Sequence, residues 1–356
     1  MPIVALGRAT FAALAVTLLA ACSVSSAIAP QQTSPRNNPY TTTKRVPSPN
    51  IILRGHNFSS RIYHHFNSFD NCPATGQLEY ISDELVINIF AGTFVGQRPC
   101  GQIASGVDGP IGLFVEHTTG DLYVANTAGY DVLVFHRGQT SAYNVYRDPN
   151  FNDLPPADVA VTSTGIVITF SSYFSTWIEG PNGGTFVGDY PVCACYGGGF
   201  LAVQSADTVY FDDVGCPELS CGGDVMSMSC PAGVCGAQTN VIDNLWFPWG
   251  MAFDPTGKLA VILSGPDVPS TADIFQLPDP NPKTVSLGCW YPQACGGYSL
   301  PYGVAFSRAV PEKSMTIFMT DPYKNIATEY YYPSFKLIGR VPGNPGGFMV
   351  GIAVDS

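Results

Sequence analysis

The stretch Pro110-Ile111-Gly112-Leu113-Phe114-Val115, followed after a short polar turn by Gly120-Asp121-Leu122-Tyr123-Val124-Ala125-Asn126, decides the fold. Each half is a turn residue feeding a short apolar run rich in β-branched and aromatic side chains, which favours a strand over a helix. The first half recurs as Pro248-Trp249-Gly250-Met251-Ala252-Phe253 and Pro301-Tyr302-Gly303-Val304-Ala305-Phe306. Weaker copies stand at Pro156-Ala157-Asp158-Val159-Ala160-Val161, Gly199-Phe200-Leu201-Ala202-Val203 and Gly351-Ile352-Ala353-Val354-Asp355. The second half is echoed at Gly165-Ile166-Val167-Ile168-Thr169, Asp207-Thr208-Val209-Tyr210-Phe211-Asp212, Gly257-Lys258-Leu259-Ala260-Val261-Ile262 and Ser314-Met315-Thr316-Ile317-Phe318-Met319. The copies recur at intervals of roughly 40–55 residues, the period of a β-propeller blade. Further strands, such as Asp131-Val132-Leu133-Val134-Phe135 and Asp273-Ile274-Phe275-Gln276-Leu277, bring each repeat to about four strands.

The ends of the array are complementary. The last inner-strand motif, at Gly351, has no outer strands after it, and Gly76-Gln77-Leu78-Glu79-Tyr80-Ile81-Ser82-Asp83 is an outer motif with no inner strand before it. Joining them makes a sixth blade and leaves the ring without an open edge. The expected fold is therefore all-β: a six-bladed β-propeller over residues 75–356, closed by pairing of its C-terminal inner strand with its N-terminal outer strands. A β-sandwich also has short strands, but not paired motifs at this spacing with complementary ends.

The Pro-x-Gly inner strand and the Gly-x-Leu-Tyr-Val-Ala-Asn run, best seen from Pro110 to Asn126, resemble NHL-type and gluconolactonase-like six-bladed propellers. Gluconolactonase-like members hold a divalent metal such as calcium at the channel mouth with a Glu, an Asn and an Asp from different blades. The resemblance offers Glu116, Asn126 and Asp254 as candidates, each of which also reads as a turn or channel-lining residue. Such a repeat identifies architecture better than activity.

Residues 1–21 carry one cation, Arg8, and then an apolar run from Phe11 to Leu19. That run is too short for a bilayer core of ~30 Å, so it reads as an export signal. It ends on Leu19-Ala20-Ala21-Cys22, which resembles the lipobox of bacterial lipoproteins. The resemblance implies cleavage before Cys22, diacylglycerol on its thiol and further acyl chains such as palmitate. One acyl chain binds membranes marginally, whereas several on one cysteine hold firmly.

Residues 22–50 are rich in Ser, Thr, Pro, Gln and Asn and bury too little to offset chain entropy, so they read as a lipidated flexible tether. Residues 51–74 form an unassigned docking segment with scattered apolar side chains. It contains His56, His64 and His65, which have no acidic or cysteine partner at ligand spacing. Eleven cysteines are present. Cys22 aside, they form an even set: Cys72, Cys100, Cys193, Cys195, Cys216, Cys221, Cys230, Cys235, Cys289 and Cys295. Export favours disulfides among them, with pairing left open. A four-thiolate zinc site at Cys216, Cys221, Cys230 and Cys235 is the competing reading.

A net charge of -11 argues against nucleic acid as a partner. There is no Gly-x-Ser-x-Gly elbow, His-Glu-x-x-His, phosphate loop or Cys-x-x-Cys pair. Aromatic residues before the inner strands, Trp246, Trp249, Trp290, Tyr298 and Tyr302, suit a sugar, peptide or protein if they gather at the channel mouth, and otherwise pack between blades. Asp83, Asn126, Asp212 and Asp321 end the second strands and read as turn formers with a binding role open to them. The expected function is a lipid-anchored binding or scaffold module of the cell envelope, with membrane attachment through Cys22 and an envelope protein, peptide or glycan as partner. A metal-dependent gluconolactonase-like hydrolase and a purely structural envelope protein are the alternatives. Cys22→Ser is predicted to abolish membrane association and leave the folded domain intact; retention in the membrane fraction after salt and carbonate washes would refute the lipobox reading.

Overall fold

Both faces of the repeat's second strand are covered, which is why its sequence runs apolar instead of alternating. Leu122 and Val124 pack with Leu113, Val115 and Tyr80 on one side, while Tyr123 and Ala125 pack with Val159, Val161 and Trp177 on the other. A sheet buried on two faces has no use for a polar alternate set.

The computed structural model describes residues 68–355 apart from 95–96, 151–154, 171–172, 192–198, 205–206, 214–222, 246–247, 264–269, 289–300, 308–314, 323 and 345–346. The chain begins its sheets with β1 (Leu78–Asp83), β2 (Val86–Ala91) and β3 (Gly101–Ile103). Blade 1 holds β4 (Pro110–Glu116), β5 (Asp121–Asn126), β6 (Asp131–Phe135) and β7 (Asn144–Tyr146). Blade 2 holds β8 (Asp158–Val161), β9 (Ile166–Phe170), β10 (Tyr173–Ile178) and β11 (Thr185–Pro191). Blade 3 holds β12 (Leu201–Val203), β13 (Thr208–Asp213), β14 (Gly223–Ser229) and β15 (Gln238–Leu245). Blade 4 holds β16 (Pro248–Phe253), β17 (Leu259–Leu263), β18 (Ser270–Phe275) and β19 (Lys283–Gly288). Blade 5 holds β20 (Val304–Phe306), β21 (Thr316–Asp321), β22 (Ile326–Tyr331) and β23 (Lys336–Pro342). The last strand, β24 (Met349–Asp355), joins the first three in the order β24-β1-β2-β3 and so completes blade 6.

All six sheets are four-stranded and antiparallel. The inner strands touch in the order β4, β8, β12, β16, β20, β24, and β24 returns to β4. The fold is thus a six-bladed β-propeller, closed as the motif ends require: Leu78 pairs with Asp355, Tyr80 with Ala353 and Ile81 with Ile352. Each of the six blade-to-blade seams has its own apolar cluster.

The glycine of the Pro-x-Gly motif answers a steric demand at the axis. A Cβ on Gly351 would lie 1.9 Å from the Ile111 carbonyl oxygen, and one on Gly250 1.8 Å from that of Tyr302. Register slips at the same point, where Pro110 pairs with Asn126 but Leu113 already pairs with Val124, so the motif is a bulge that brings neighbouring inner strands together. Asp158 occupies the glycine position in blade 2, and its carboxylate takes the space beside Gly112.

The described part of the docking segment reaches the edge of blade 6. Ser68 bridges Gln102 of β3, Phe69 packs on the seam between blades 6 and 1, and Cys72 is bonded to Cys100. Cys230 is bonded to Cys235, so these two are not half of a four-thiolate zinc site. Cys22, the tether, the three histidines, Cys193, Cys195, Cys216, Cys221, Cys289 and Cys295 lie outside the described residues.

Gly351→Ala is predicted to cost about 1–3 kcal/mol in urea unfolding. Gly236→Ala, where a Cβ would meet only the Ser229 carbonyl at 3.6 Å, is predicted to stay within about 0.5 kcal/mol of the parent. Equal effects would dismiss the close-approach explanation.

Candidate functional site

The six inner strands enclose an axial channel of about 570 Å³, lined from Gly112 to Thr118 in blade 1 and by the matching stretches of the other five. Its two ends differ in chemistry. At the end where the inner strands begin, Ile111, Phe200, Trp249, Tyr302 and Val350, from five different blades, form one buried cluster. Trp249 and Tyr302 are in tilted ring contact at 4.7 Å, and Phe200 meets Tyr302 edge-on at 5.7 Å. Side chains from five blades converge only on the axis, so this cluster plugs the channel. Ile111, Trp249, Tyr302 and Val350 each stand just before a motif glycine, and Phe200 just after Gly199, at the point where the inner strands approach the axis.

The open end is framed by the turns that join each inner strand to its neighbour. His117, Thr118, Ser163, Gln204 and Pro255 are exposed there. Among the described residues, the three acids that line the channel all accept hydrogen bonds from the protein. Glu116 takes the Thr118 and Thr119 amides at 3.0 and 2.7 Å; partial burial would raise its pKa, but these bonds outweigh burial and hold it below the ordinary value. Asp254 takes the Thr256 and Lys258 amides at 2.8 and 2.9 Å and the Tyr332 hydroxyl at 2.8 Å. Asp158, next to the plug, takes the Val159 and Leu201 amides at 2.8 and 2.7 Å. Burial pushes its carboxyl up to about 8.

Glu116, Asn126 and Asp254 do not assemble a metal site. Glu116 pairs with Asp121 at one end of β5, and Asn126 is the other end, a span of about 16 Å at the rise of a strand. Asn126 is occupied at the plugged end, where its Oδ1 accepts the Asp108 amide at 2.6 Å and its Nδ2 donates to Asp131 at 2.7 Å. The residues do not fit the group that the resemblance implies.

Asp83 and Asp212 do the same kind of work as Asn126. Asp83 receives the Asn344 and Phe348 amides at 2.8 and 3.0 Å, and Asp212 those of Gly199 and Phe200 at 2.9 and 2.8 Å. Both carboxylates tie down the loop that enters the inner strand of their own blade. Asp321 caps its local turn through the Lys324 amide at 3.1 Å. Trp249 and Tyr302 are buried in the plug, so as binding candidates they offer no accessible ring. Trp246, Trp290 and Tyr298 lie outside the described residues.

Sequence reading missed the plug as a unit, although all but Phe200 precede a motif glycine. It also missed a row on the open side of blade 1. There Asp121 accepts the Tyr143 hydroxyl at 2.6 Å and sits 2.9 Å from His136 Nδ1, whose ring stacks on Tyr143 at 3.6 Å. Arg137, beside it, pairs with Asp355 of β24 and donates to the Gly76 carbonyl, joining blade 1 to the closing blade.

No protein-family model matches the chain, and no curated protein matches it in sequence. Among solved structures, a chain of the nidogen/laminin complex matches with a TM-score of 0.60 at 11% identity, over 79% of this chain and 99% of its own. Hydrazine synthase of Kuenenia stuttgartiensis matches with a TM-score of 0.53 at 13% identity, over 81% of this chain and 90% of its own. At such identities the likeness is one of fold.

Trp249→Ala is predicted to cost about 3–5 kcal/mol in urea unfolding, as expected of a large ring removed from a packed core. Tyr130→Ala, at a ring 56% exposed, is predicted to stay within about 0.5 kcal/mol. Comparable small losses at both sites would mean that the plug is not packed.

Proposed function

We propose that the protein is a binding or scaffold module, exported and lipid-anchored through Cys22 at the cell envelope, whose recognition surface is the open end of the channel. The observation that carries this reading is the state of the channel acids: Glu116, Asp158 and Asp254 are all engaged by protein donors, which leaves a rigid concave rim suited to recognition. Metal-dependent hydrolysis is not favoured, because the three residues it would use lie at opposite ends of the strands. A structure sharing the fold was solved as a complex named for two proteins, nidogen and laminin, and the binding reading extends that use of the fold to this chain. A peptide, protein or glycan of the envelope is the partner class in keeping with export.

The test is site-specific photo-crosslinking in intact cells from position 204 on the rim and from position 336 on the outer edge of blade 5. Position 204 is predicted to capture a defined envelope partner, and Pro255→Arg on the same rim to reduce that capture at least tenfold. Capture confined to position 336, or metal-dependent lactone hydrolysis by the purified domain, would overturn the reading.

A further inference from the structure

Blade 1 carries two exposed rings that are bonded to one buried carboxylate. Asp121 begins β5 opposite Glu116, His136 follows the last residue of β6, and Tyr143 precedes β7, so the three stand side by side where the strands reach the open end. Asp121 is buried, whereas the His136 side chain is 55% exposed and Tyr143 46%. The two rings lie nearly parallel, with planes 9° apart and centroids 3.6 Å apart. Asp121 accepts the Tyr143 hydroxyl through Oδ2 at 2.6 Å and stands 2.9 Å from His136 Nδ1 through Oδ1.

A carboxylate only accepts hydrogen bonds, so these two contacts fix the hydrogens of both rings. His136 carries a proton on Nδ1, and Tyr143 turns its hydroxyl hydrogen toward Asp121. Burial and the bond to Asp121 hold the phenol above its ordinary pKa, so it keeps that hydrogen. The polar positions left over are Nε2 of the neutral imidazole and the remaining lone pair of Tyr143 Oη, both acceptors, at the edge of a ring stack.

The surrounding charge is of one sign. Arg137 is the only Lys or Arg between residues 110 and 146, and it is already paired with Asp355 and the Gly76 carbonyl. Asn144, next to Tyr143, donates to the Gly180 carbonyl at 2.8 Å and accepts the Gly183 amide at 2.7 Å, which seats the β10–β11 turn of blade 2 against the row. Glu179 of that turn is exposed and accepts the Tyr123 hydroxyl of blade 1. Residues 148–257, which run through blades 2 and 3 into blade 4, contain twelve acidic residues and no Lys or Arg. Acceptors and ring faces by themselves suit a neutral sugar. Beside an acidic sector without a cation of its own, they suit a cation. A guanidinium uses every part: its plane lies on the rings, its fork of N–H donors meets Nε2 and Oη, and its charge answers the acids.

We propose that the His136–Tyr143 stack is the docking point for an arginine side chain of a basic partner protein, and that Asp121 is the positioning residue that holds both rings with their acceptors free. Lysine, a compact and strongly hydrated charge, gains from the acidic sector but not from the ring faces, so it is the weaker ligand. The row stands on β5 to β7, outward of the inner strand, and the inference does not depend on the binding role of the channel mouth.

The experiment is an NMR titration of the purified full chain, isotope-labelled at its histidines, at neutral pH with end-capped glycine peptides that carry a single arginine, lysine or citrulline. The arginine peptide is predicted to shift the His136 ring signals saturably. The lysine peptide should bind more weakly, and the citrulline peptide, of the same shape without the charge, should leave the signals in place. Tyr143→Ala should weaken arginine binding at least about fivefold. Tyr143→Phe, which keeps the ring, should weaken it less, and Gln204→Ala on the channel rim should leave it unchanged. If Tyr143→Ala fails to fold, Tyr143→Gln carries the same comparison. No shift with the arginine peptide, an equal response to citrulline, or lysine binding as tight as arginine would overturn the proposal. So would unchanged affinity in the Tyr143→Ala chain, the mark of diffuse attraction to the acidic sector, or a shift produced by maltotriose and not by arginine, the mark of a sugar site.

Discussion

The antiparallel pairing of β24 with β1 is the contact on which the rest of the ring depends. It joins residues 349–355 to residues 78–83, so the first and last strands among the described residues meet in one sheet. Without that pairing, β1 and the inner strands on either side would present unpaired edges and half-covered apolar faces. The side chains around the pairing reinforce it. The Ser82 hydroxyl accepts from the Gly351 amide at 2.7 Å and donates to the Ile111 carbonyl at 3.0 Å, linking blade 6 to blade 1. Thr320, at the matching position of blade 5, accepts from the Gly303 amide at 2.9 Å and donates to the Val350 carbonyl. One hydroxyl thus replaces a missing ladder bond in its own blade and reaches into the next.

The geometry of the axis divides the channel by chemistry. Where the strands begin, the channel is sealed by rings. Where they end, tight turns, two of them capped by their own acids, leave an exposed polar rim. The residues that look most reactive in the sequence, Glu116 and Asp254, are those the turns consume. Asp83, Asn126 and Asp212 meet the same fate at the other end, since a loop entering a crowded axis leaves backbone amides that need acceptors.

Blade number, closure and strand pairing were legible in the sequence because they follow from short-range signals, a turn glycine and an apolar run, repeated along the chain. The site was less legible. Trp249 and Tyr302 read either as recognition residues, since loops before the inner strands gather on one face, or as rings packed between blades. Only the three-dimensional approach of five strands shows them as a plug. Glu116, Asn126 and Asp254, which the resemblance offered as metal candidates and which also read as turn or channel-lining residues, are divided because β5 runs its full length between Asn126 and the turn that holds Glu116.

The bond between Cys72 and Cys100 has a mechanical meaning. The chain approaches β1 through Cys72, and the disulfide attaches that point to the segment that begins β3. A pull on the preceding residues is therefore divided between two strands on opposite sides of β2, and neither is unzipped alone from one end. A load arriving there reaches β1 and β3 together, so both ladders that β2 makes share it. Reducing this one bond would leave the Ser68–Gln102 bridge as the tie between the preceding residues and β3.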